Sequence, residues 1–376
     1  MKAGKNRVTR REHRESAGRA AVGNRGERRD FFWGGHKAPP YDGGARSRAM
    51  SAAVEIVNVF KECACARRKP TECGQRALFS EELSAMLPSE REPITDANIR
   101  RLVREYVTKR CYDEKSNDED LLRRREAGHI SRWDTSKVTD MSALFGNLGG
   151  ENTFAYFNQP IGDWDVRGVT SMYRMFYGAA SFNQPIGGWD VGNVTTTSQM
   201  FQYASRFDQP IGAWNVENVV DASFMFFLAS SFDRPIEAWN VGRVANMKSM
   251  FYLASSFNQP LGGWDVANVA DMSHMFRDAE NFNQPIGRWN VGKVADMSGM
   301  FAGAERFDQP IGAWDVANVA DMSDMFAGAS SFDQPIGAWD VGNVTDMDRM
   351  FAGAASFHQA IEGWNVGKVT NMAGVG

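Results

Sequence analysis

The chain has 376 residues and a formal net charge of −4 at pH 7, but its charge is unevenly distributed. Residues 1–50 carry 13 Lys and Arg against 5 Asp and Glu, residues 51–130 carry 15 against 15, and residues 131–376 carry 14 against 26. The acidic third part argues against a nucleic-acid partner there, because a phosphate backbone would be repelled. No run of about 18 apolar residues exists, so we expect no membrane span.

Residues 1–50 are rich in Arg and Gly and have no hydrophobic periodicity. This composition is typical of a disordered basic tail, although a basic segment could also contact RNA, DNA or an anionic surface. The start of the chain leads into no apolar segment, so a secretory signal is not visible.

Residues 51–128 predict a small helical region. Short helices are indicated after Ser51 and at Ser80, and the best one follows Thr95. Its apolar residues have helical spacing and lie on one face, namely Ile99, Leu102, Val103, Tyr106 and Val107. Since a repeat array exposes its hydrophobic end, we expect this region to be its N-terminal cap.

The remaining residues, 129–376, contain a repeat of 25 residues. The repeat is cleanest from Trp314 to Ala338 and reads W-D-V-x-N-V-x-D-M-S-x-M-F-x-G-A-x-x-F-x-Q-P-I-G-x. Regularly spaced tryptophans mark it: Trp164, Trp189, Trp214, Trp239, Trp264, Trp289, Trp314, Trp339 and Trp364. Trp133 begins an earlier copy, lengthened by six residues between Phe145 and Phe157. A fixed period of this length predicts a solenoid or a related array.

Positions in the repeat are counted from its Trp, which is position 0. Apolar residues at positions 8, 11, 12 and 15, as in residues 322–329, predict a short helix. Asp or Asn at position 7 has the place of its N-cap, and Gly303, Gly328 and Gly353 have that of a left-handed residue near its end. Proline at position 21 excludes a helix there. The Ile at position 22, the Trp at position 0 and the Val residues at positions 2 and 5 therefore predict an extended segment whose side chains face inward.

The expected fold is therefore an α/β repeat solenoid with one short helix and one extended segment in each of about ten coils. The recurring F-N-Q-P-I-G-x-W-D-V-x-N-V-T-D-M-x-x-M-F resembles the repeat of BspA-like surface proteins and mycoplasma surface lipoproteins, a domain of unknown function grouped with the leucine-rich repeats. The resemblance covers residues 129–376. It implies a leucine-rich-repeat-like fold, a surface or adhesion-like role and no enzymatic activity.

The sequence offers little for catalysis, cofactors or metals. All cysteines precede the repeats, and Cys63, Cys65 and Cys73 lack the paired spacing of a structural zinc site. No phosphate-binding loop, nucleophile elbow or zinc-protease motif occurs. Within the 25-residue copies only His274 and His358 are present, at unrelated positions, and His274 is expected on the outer helix face. We therefore expect neither an enzyme, a cofactor nor a metal.

Two ladders of side chains leave alternatives open. A Trp in every coil predicts a buried spine, whereas exposed indoles beside Asp and Asn would favour a glycan-binding solenoid. Asp and Asn alternate at positions 1 and 19, which indicates acceptors in turns more than calcium ligands.

The favoured interaction surface lies on the early coils. Positions 9, 10, 13 and 14 should face solvent, yet in these coils they are apolar. Such an exposed patch is typical of a contact with a protein partner, or of a seat for residues 51–128. The candidate partner-binding residues are Tyr173, Tyr177, Tyr203, Phe224, Phe227, Leu228, Tyr252 and Leu253.

The sequence therefore predicts a non-enzymatic scaffold for protein–protein interaction. Its last copy stops at Met372-Ala373-Gly374-Val375-Gly376, from which we expect either a partner at this end or, the favoured reading, a truncated sequence.

Overall fold

The computed structural model describes residues 93–113, 129–147 and 153–374. In these residues α1 extends over Ile99–Asp113 and a short 3-10 helix over Ile130–Arg132. The remaining described residues form turns, extended segments and isolated parallel bridges. The predicted basic tail and the helices expected near Ser51 and Ser80 lie outside the described residues.

Helix α1 confirms the prediction for the segment after Thr95. Ile99, Leu102, Val103 and Val107 are buried, and Tyr106 packs partly buried against the same core. The spacing of these residues therefore gave the correct helix and the correct buried face.

Consecutive repeats are joined by a regular ladder of backbone hydrogen bonds. The amide N–H groups at positions 8, 10, 12 and 14 donate to the carbonyl groups at positions 7, 9, 11 and 13 of the next copy. In one pair of copies Met247 donates to Asp271 O at 3.0 Å and Ser249 to Ser273 O at 2.9 Å. Parallel bridges connect the position-7 residues from Asp140 through to Asn371. Each copy thus lies beside the next with a register of one full repeat.

The predicted helix in each copy is wrong. In residues 133–147 and 153–374 the structure has no α-helix, and positions 8–15 form overlapping tight turns. Met250 N donates to Met247 O at 3.1 Å, three residues back rather than four. Ser249 and Leu253, at positions 10 and 14, have φ of 53° and 57°, which a right-handed helix excludes.

The spacing misled because both arrangements bury the same positions. Met247, Met250, Phe251 and Ala254 are fully buried here, as a helix would also bury them. Alternating left-handed residues instead turn every second N–H towards the next copy, where a carbonyl accepts it. The neighbouring copy therefore supplies the partners that a helix would have found within itself. The glycines expected to be left-handed, Gly303, Gly328 and Gly353, do have positive φ.

The core consists of three columns of aromatic rings, from positions 0, 12 and 18. Trp239 and Trp264 have ring centroids 6.4 Å apart, and Phe226 and Phe251 have centroids 5.6 Å apart, both pairs stacked. Within a copy, Phe251 stacks on Phe257 at 4.1 Å. The expected inward-facing residues at positions 22, 0, 2 and 5 are buried as well, although turns bend the segment that carries them.

Two side chains, one just before α1 and one in its first turn, close the ladder at the first copy. In later copies the position-6 N–H donates to the preceding copy, as Thr170 does to Thr139 O at 2.8 Å. For Thr139 itself the acceptor is Asp96 Oδ1 at 2.8 Å, which also accepts from Asp140 N at 3.0 Å.

Whereas Asp96 accepts hydrogen bonds from N–H groups of the first copy, Arg100 donates hydrogen bonds to its carbonyl groups. Its Nη2 donates to Asp140 O at 3.3 Å and to Asp140 Oδ2 at 2.7 Å, and its Nε donates to Ser142 O at 3.2 Å. These carbonyls, at positions 7 and 9, accept from a preceding copy elsewhere in the array. Asp96 and Arg100 therefore take the place of one copy's backbone.

We expect Asp96→Ala and Arg100→Ala each to destabilise the first copy by about 1 kcal/mol, because charged hydrogen bonds to backbone groups are lost. Hydrogen exchange at the Thr139 and Asp140 amides would report this locally. Arg101→Ala is the matched control, since within the described part of the chain Arg101 makes only a solvent-exposed pair with Glu105. Equal exchange in all three variants would contradict the capping role.

The Gly353→Ala variant distinguishes overlapping turns from a helix in positions 8–15. At its φ of 76° an added Cβ is strained, so we expect a loss of about 1 kcal/mol in the free energy of unfolding. In a helix the same change would stabilise by about 1 kcal/mol. Gly263→Ala is the control, because its Cβ would meet nothing within 4 Å and its φ is not positive. Urea denaturation of both variants checks the sign.

Candidate binding surface

The tryptophan ladder is internal. From Trp164 to Trp364 each indole is 3–9% exposed. From Trp189 onwards each Nε1–H donates to the backbone carbonyl 28 residues earlier, as Trp264 does to Ile236 O at 3.2 Å, and Trp164 donates to Ile130 O at 2.7 Å. The predicted buried spine is confirmed. The glycan-binding alternative is wrong in its premise, because these indoles present no face to a sugar ring.

The Asp and Asn ladders accept hydrogen bonds, as expected. At position 1, Asp265 Oδ1 accepts from Ala267 N at 3.1 Å. At position 19, Asp233 Oδ1 accepts from Asn258 N and from Gln259 Nε2 of the next copy, both at 2.9 Å. Among the described residues no group of three or more acidic, His or Cys side chains is arranged to hold a metal ion.

At position 7 the expected N-cap is replaced by the same chemistry in a turn. Asp271 Oδ1 accepts from Ser273 N at 2.8 Å and from Ser273 Oγ at 2.6 Å. Burial raises the pKa of Asp296, and the negative charges of Asp271 and Asp321 raise it further. The hydrogen bonds from Ser298, equivalent to those of Ser273, lower the pKa but do not offset this rise.

The candidate partner-binding residues all lie on the overlapping turns. We call positions 9–17 of each copy its turn segment. Tyr173 is at position 9, Phe224 at 10, Tyr177, Phe227 and Tyr252 at 13, and Tyr203, Leu228 and Leu253 at 14.

Four of their rings form a continuous aromatic row across four copies: Tyr177, Tyr203, Phe227 and Tyr252. Successive centroids lie 5.3, 5.3 and 4.8 Å apart. Phe224 meets Phe227 edge-on at 6.1 Å. The expectation that neighbouring coils bring these side chains together is therefore correct for the aromatic ones.

The first end of the row carries a cation. Arg174 Cζ lies 5.0 Å from the ring centroid of Tyr173 and 5.3 Å from that of Tyr177. The guanidinium of Arg174 thus links Tyr173 to the first ring of the row.

The row is less exposed than the sequence indicated. All eight candidate residues are half-buried rather than exposed, and the rings of the row cover part of one another's surface. Burial also raises the pKa values of Tyr177, Tyr203 and Tyr252 above the ordinary range of tyrosine, and it is the largest contribution for each of them.

A cluster that the sequence reasoning missed follows the row. Arg277 Cζ lies 5.7 Å from the Tyr252 ring centroid, and Arg277 is only 4% exposed. Its Nε is 3.9 Å from Asp278, and its Nη1 is 3.9 Å from Asp324, two copies further along. Asp324 in turn accepts from Arg349 Nη2 at 2.7 Å and 2.8 Å.

Small residues make this reach possible. The copy between Arg277 and Asp324 has Gly299, Ala302 and Gly303 in its turn segment, and a Cβ on Gly299 would collide with the His274 ring. In the sequence, the Arg277 cluster could have been recognised from a copy with glycines in its turn segment that lies between copies with Arg and Asp.

His274 is half-buried in this cluster and not solvated as expected. Burial, followed by the charges of Arg277 and Lys248, lowers the pKa of His274 to about 3. Its ring therefore stays neutral at physiological pH.

The His274→Asn variant tests this environment, since Asn tolerates a left-handed backbone. Between pH 6.5 and about 3 the unfolded chain binds a proton at His274 that the folded chain does not. Acidification through this window therefore destabilises the parent relative to the variant, by at most about 1.4 kcal/mol per pH unit. Unfolding curves that stay parallel from pH 7 to pH 4 would contradict the lowered pKa.

The repeat itself matches a known family. Three overlapping matches to the family described as Mycoplasma protein of unknown function, DUF285, cover residues 119–233, 211–308 and 283–375. The chain belongs to this family. The mycoplasma part of the expected resemblance is thereby confirmed.

A search of the curated proteins and of the solved structures found no match. Among the described residues, no helix has the length and apolar character needed to cross a membrane.

Proposed function

We propose that this chain is a non-enzymatic repeat scaffold that binds another protein through the aromatic row. The architecture in this proposal is a leucine-rich-repeat-like solenoid related to BspA-like surface proteins, with turns in place of the expected helices. The copy-to-copy hydrogen bonds and the stacked rings support it.

The observation that carries the binding role is a difference between copies that share one core. Positions 13 and 14 hold the pair Ala-Gly at 302–303, 327–328 and 352–353, and these copies keep the same turns and the same ladder. The fold therefore does not require large side chains there. In the early copies, Phe227-Leu228 and Tyr252-Leu253 occupy the same positions.

Half-buried aromatic rings suit a contact surface. Tyr and Phe bury a large area at a low cost in side-chain entropy, and they are enriched in the cores of protein interfaces. The row is held in place by ring contacts before any partner binds, which reduces the ordering cost of association.

Two alternatives compete with this proposal. Residues 51–92 and 114–128, which lie outside the described residues, could cover the row, and the variants below distinguish this from a partner. The glycan alternative would need exposed indoles, and the tryptophans from Trp164 to Trp364 are buried.

The test replaces the early pairs by the Ala-Gly pair of the later copies: Phe227→Ala, Leu228→Gly, Tyr252→Ala and Leu253→Gly. Affinity capture from the native source with the full chain should yield a protein that this variant binds at least tenfold more weakly. The free energy of unfolding should change by less than about 2 kcal/mol, because later copies fold with this pair.

The matched control is Val220→Ala with Met372→Ala, which truncates exposed apolar side chains, 49% and 44% exposed, outside the row. Capture should be unaffected in this control. Unchanged capture by the Ala-Gly variant would refute the binding role. If the variant lost far more stability than expected but still captured the same protein, the row would instead be a packing surface for another part of the chain.

A further inference from the structure

The turn segments of the repeat array divide into two halves of opposite charge. In the four copies with the aromatic row, residues 173–181, 198–206, 223–231 and 248–256, they contain three cations and no Asp or Glu. In the next four copies, residues 273–281, 298–306, 323–331 and 348–356, they contain three cations and five acids. The row thus lies in a locally positive region of an acidic array.

The three cations are Arg174, Arg206 and Lys248. Arg174 stands over two tyrosines and donates from Nε to Gln199 Oε1 at 2.6 Å. Arg206 is exposed, three residues after Tyr203. Among the described residues, neither arginine has a carboxylate within 4.0 Å.

The third cation is loosely compensated. Lys248 Nζ is 4.0 Å from Asp271 Oδ2, and its side chain is partly open to solvent. At this distance and exposure the pair is screened and weak, so Lys248 remains available to another anion.

We propose that the aromatic row and these three cations form one docking surface for an acidic protein segment with apolar side chains. This inference rests on the proposed function and names the chemistry of its partner. Apolar side chains of the segment would pack on the rings, while its carboxylates would pair with Arg174, Arg206 and Lys248. Cations at the edge of an aromatic contact select partners by charge and accelerate their association.

The same charges disfavour the chain's own basic segment as the occupant. Residues 1–50 carry 13 Lys and Arg against 5 Asp and Glu, so three cations beside the row repel them.

The test exposes the full chain to a display library of random twelve-residue peptides. We expect enriched peptides that combine an excess of Asp and Glu with Leu, Phe, Tyr or Trp. Their binding should weaken about tenfold between about 0.05 M and about 0.5 M salt, because surface ion pairs are screened.

Two variants separate this inference from the proposed function. The Ala-Gly variant at positions 227–228 and 252–253 should enrich none of these peptides. A triple variant, Arg174→Glu, Arg206→Glu and Lys248→Glu, should reverse the preference towards basic peptides. Arg206→Glu alone serves if the triple variant fails to fold, since Arg206 is exposed, and it should weaken binding of the acidic peptides about threefold.

Row-dependent peptides that are neutral or basic would overturn the acidic partner and leave the binding role intact. Failure to enrich any row-dependent peptide would overturn both.

Discussion

The structure depends on hydrogen bonds between consecutive copies of the repeat. Half of the N–H groups in each set of overlapping turns have no acceptor within their own copy, and the next copy provides it. Because unsatisfied buried amides are costly, a single copy cannot retain this backbone alone. The residues with positive φ, such as Ser249 and Leu253, persist because neighbours on both sides hold them.

The same constraint explains what the sequence could and could not predict. Spacing alone identified the period, the buried positions and the helix α1. It did not distinguish a helix from overlapping turns, because the pattern of hydrophobic residues does not determine whether φ at positions 10 and 14 is negative or positive. Gly303, Gly328 and Gly353 at position 14 carried a hint, yet other copies place Tyr, Leu or Asp there in the same left-handed conformation.

The candidate surface was predicted in part for related reasons. Apolar residues at unexpected positions located the aromatic row, since they stand out against the Ala-Gly pairs of later copies. Their degree of burial was not predictable, because it arises from ring contacts between residues 24 to 26 positions apart, such as Tyr203 and Phe227. The Arg277 cluster escaped notice because its partner, Asp324, lies two copies away.

The capping pair has a consequence for how such arrays change over generations. Asp96 and Arg100 bind mainly the backbone of Thr139, Asp140 and Ser142, and every later described copy has equivalent backbone groups at these positions. The cap therefore recognises a position in the repeat more than a particular sequence. Unequal recombination that adds or deletes whole copies behind the first would leave this junction intact, so array length and the surface it presents can vary while the starting structure is retained.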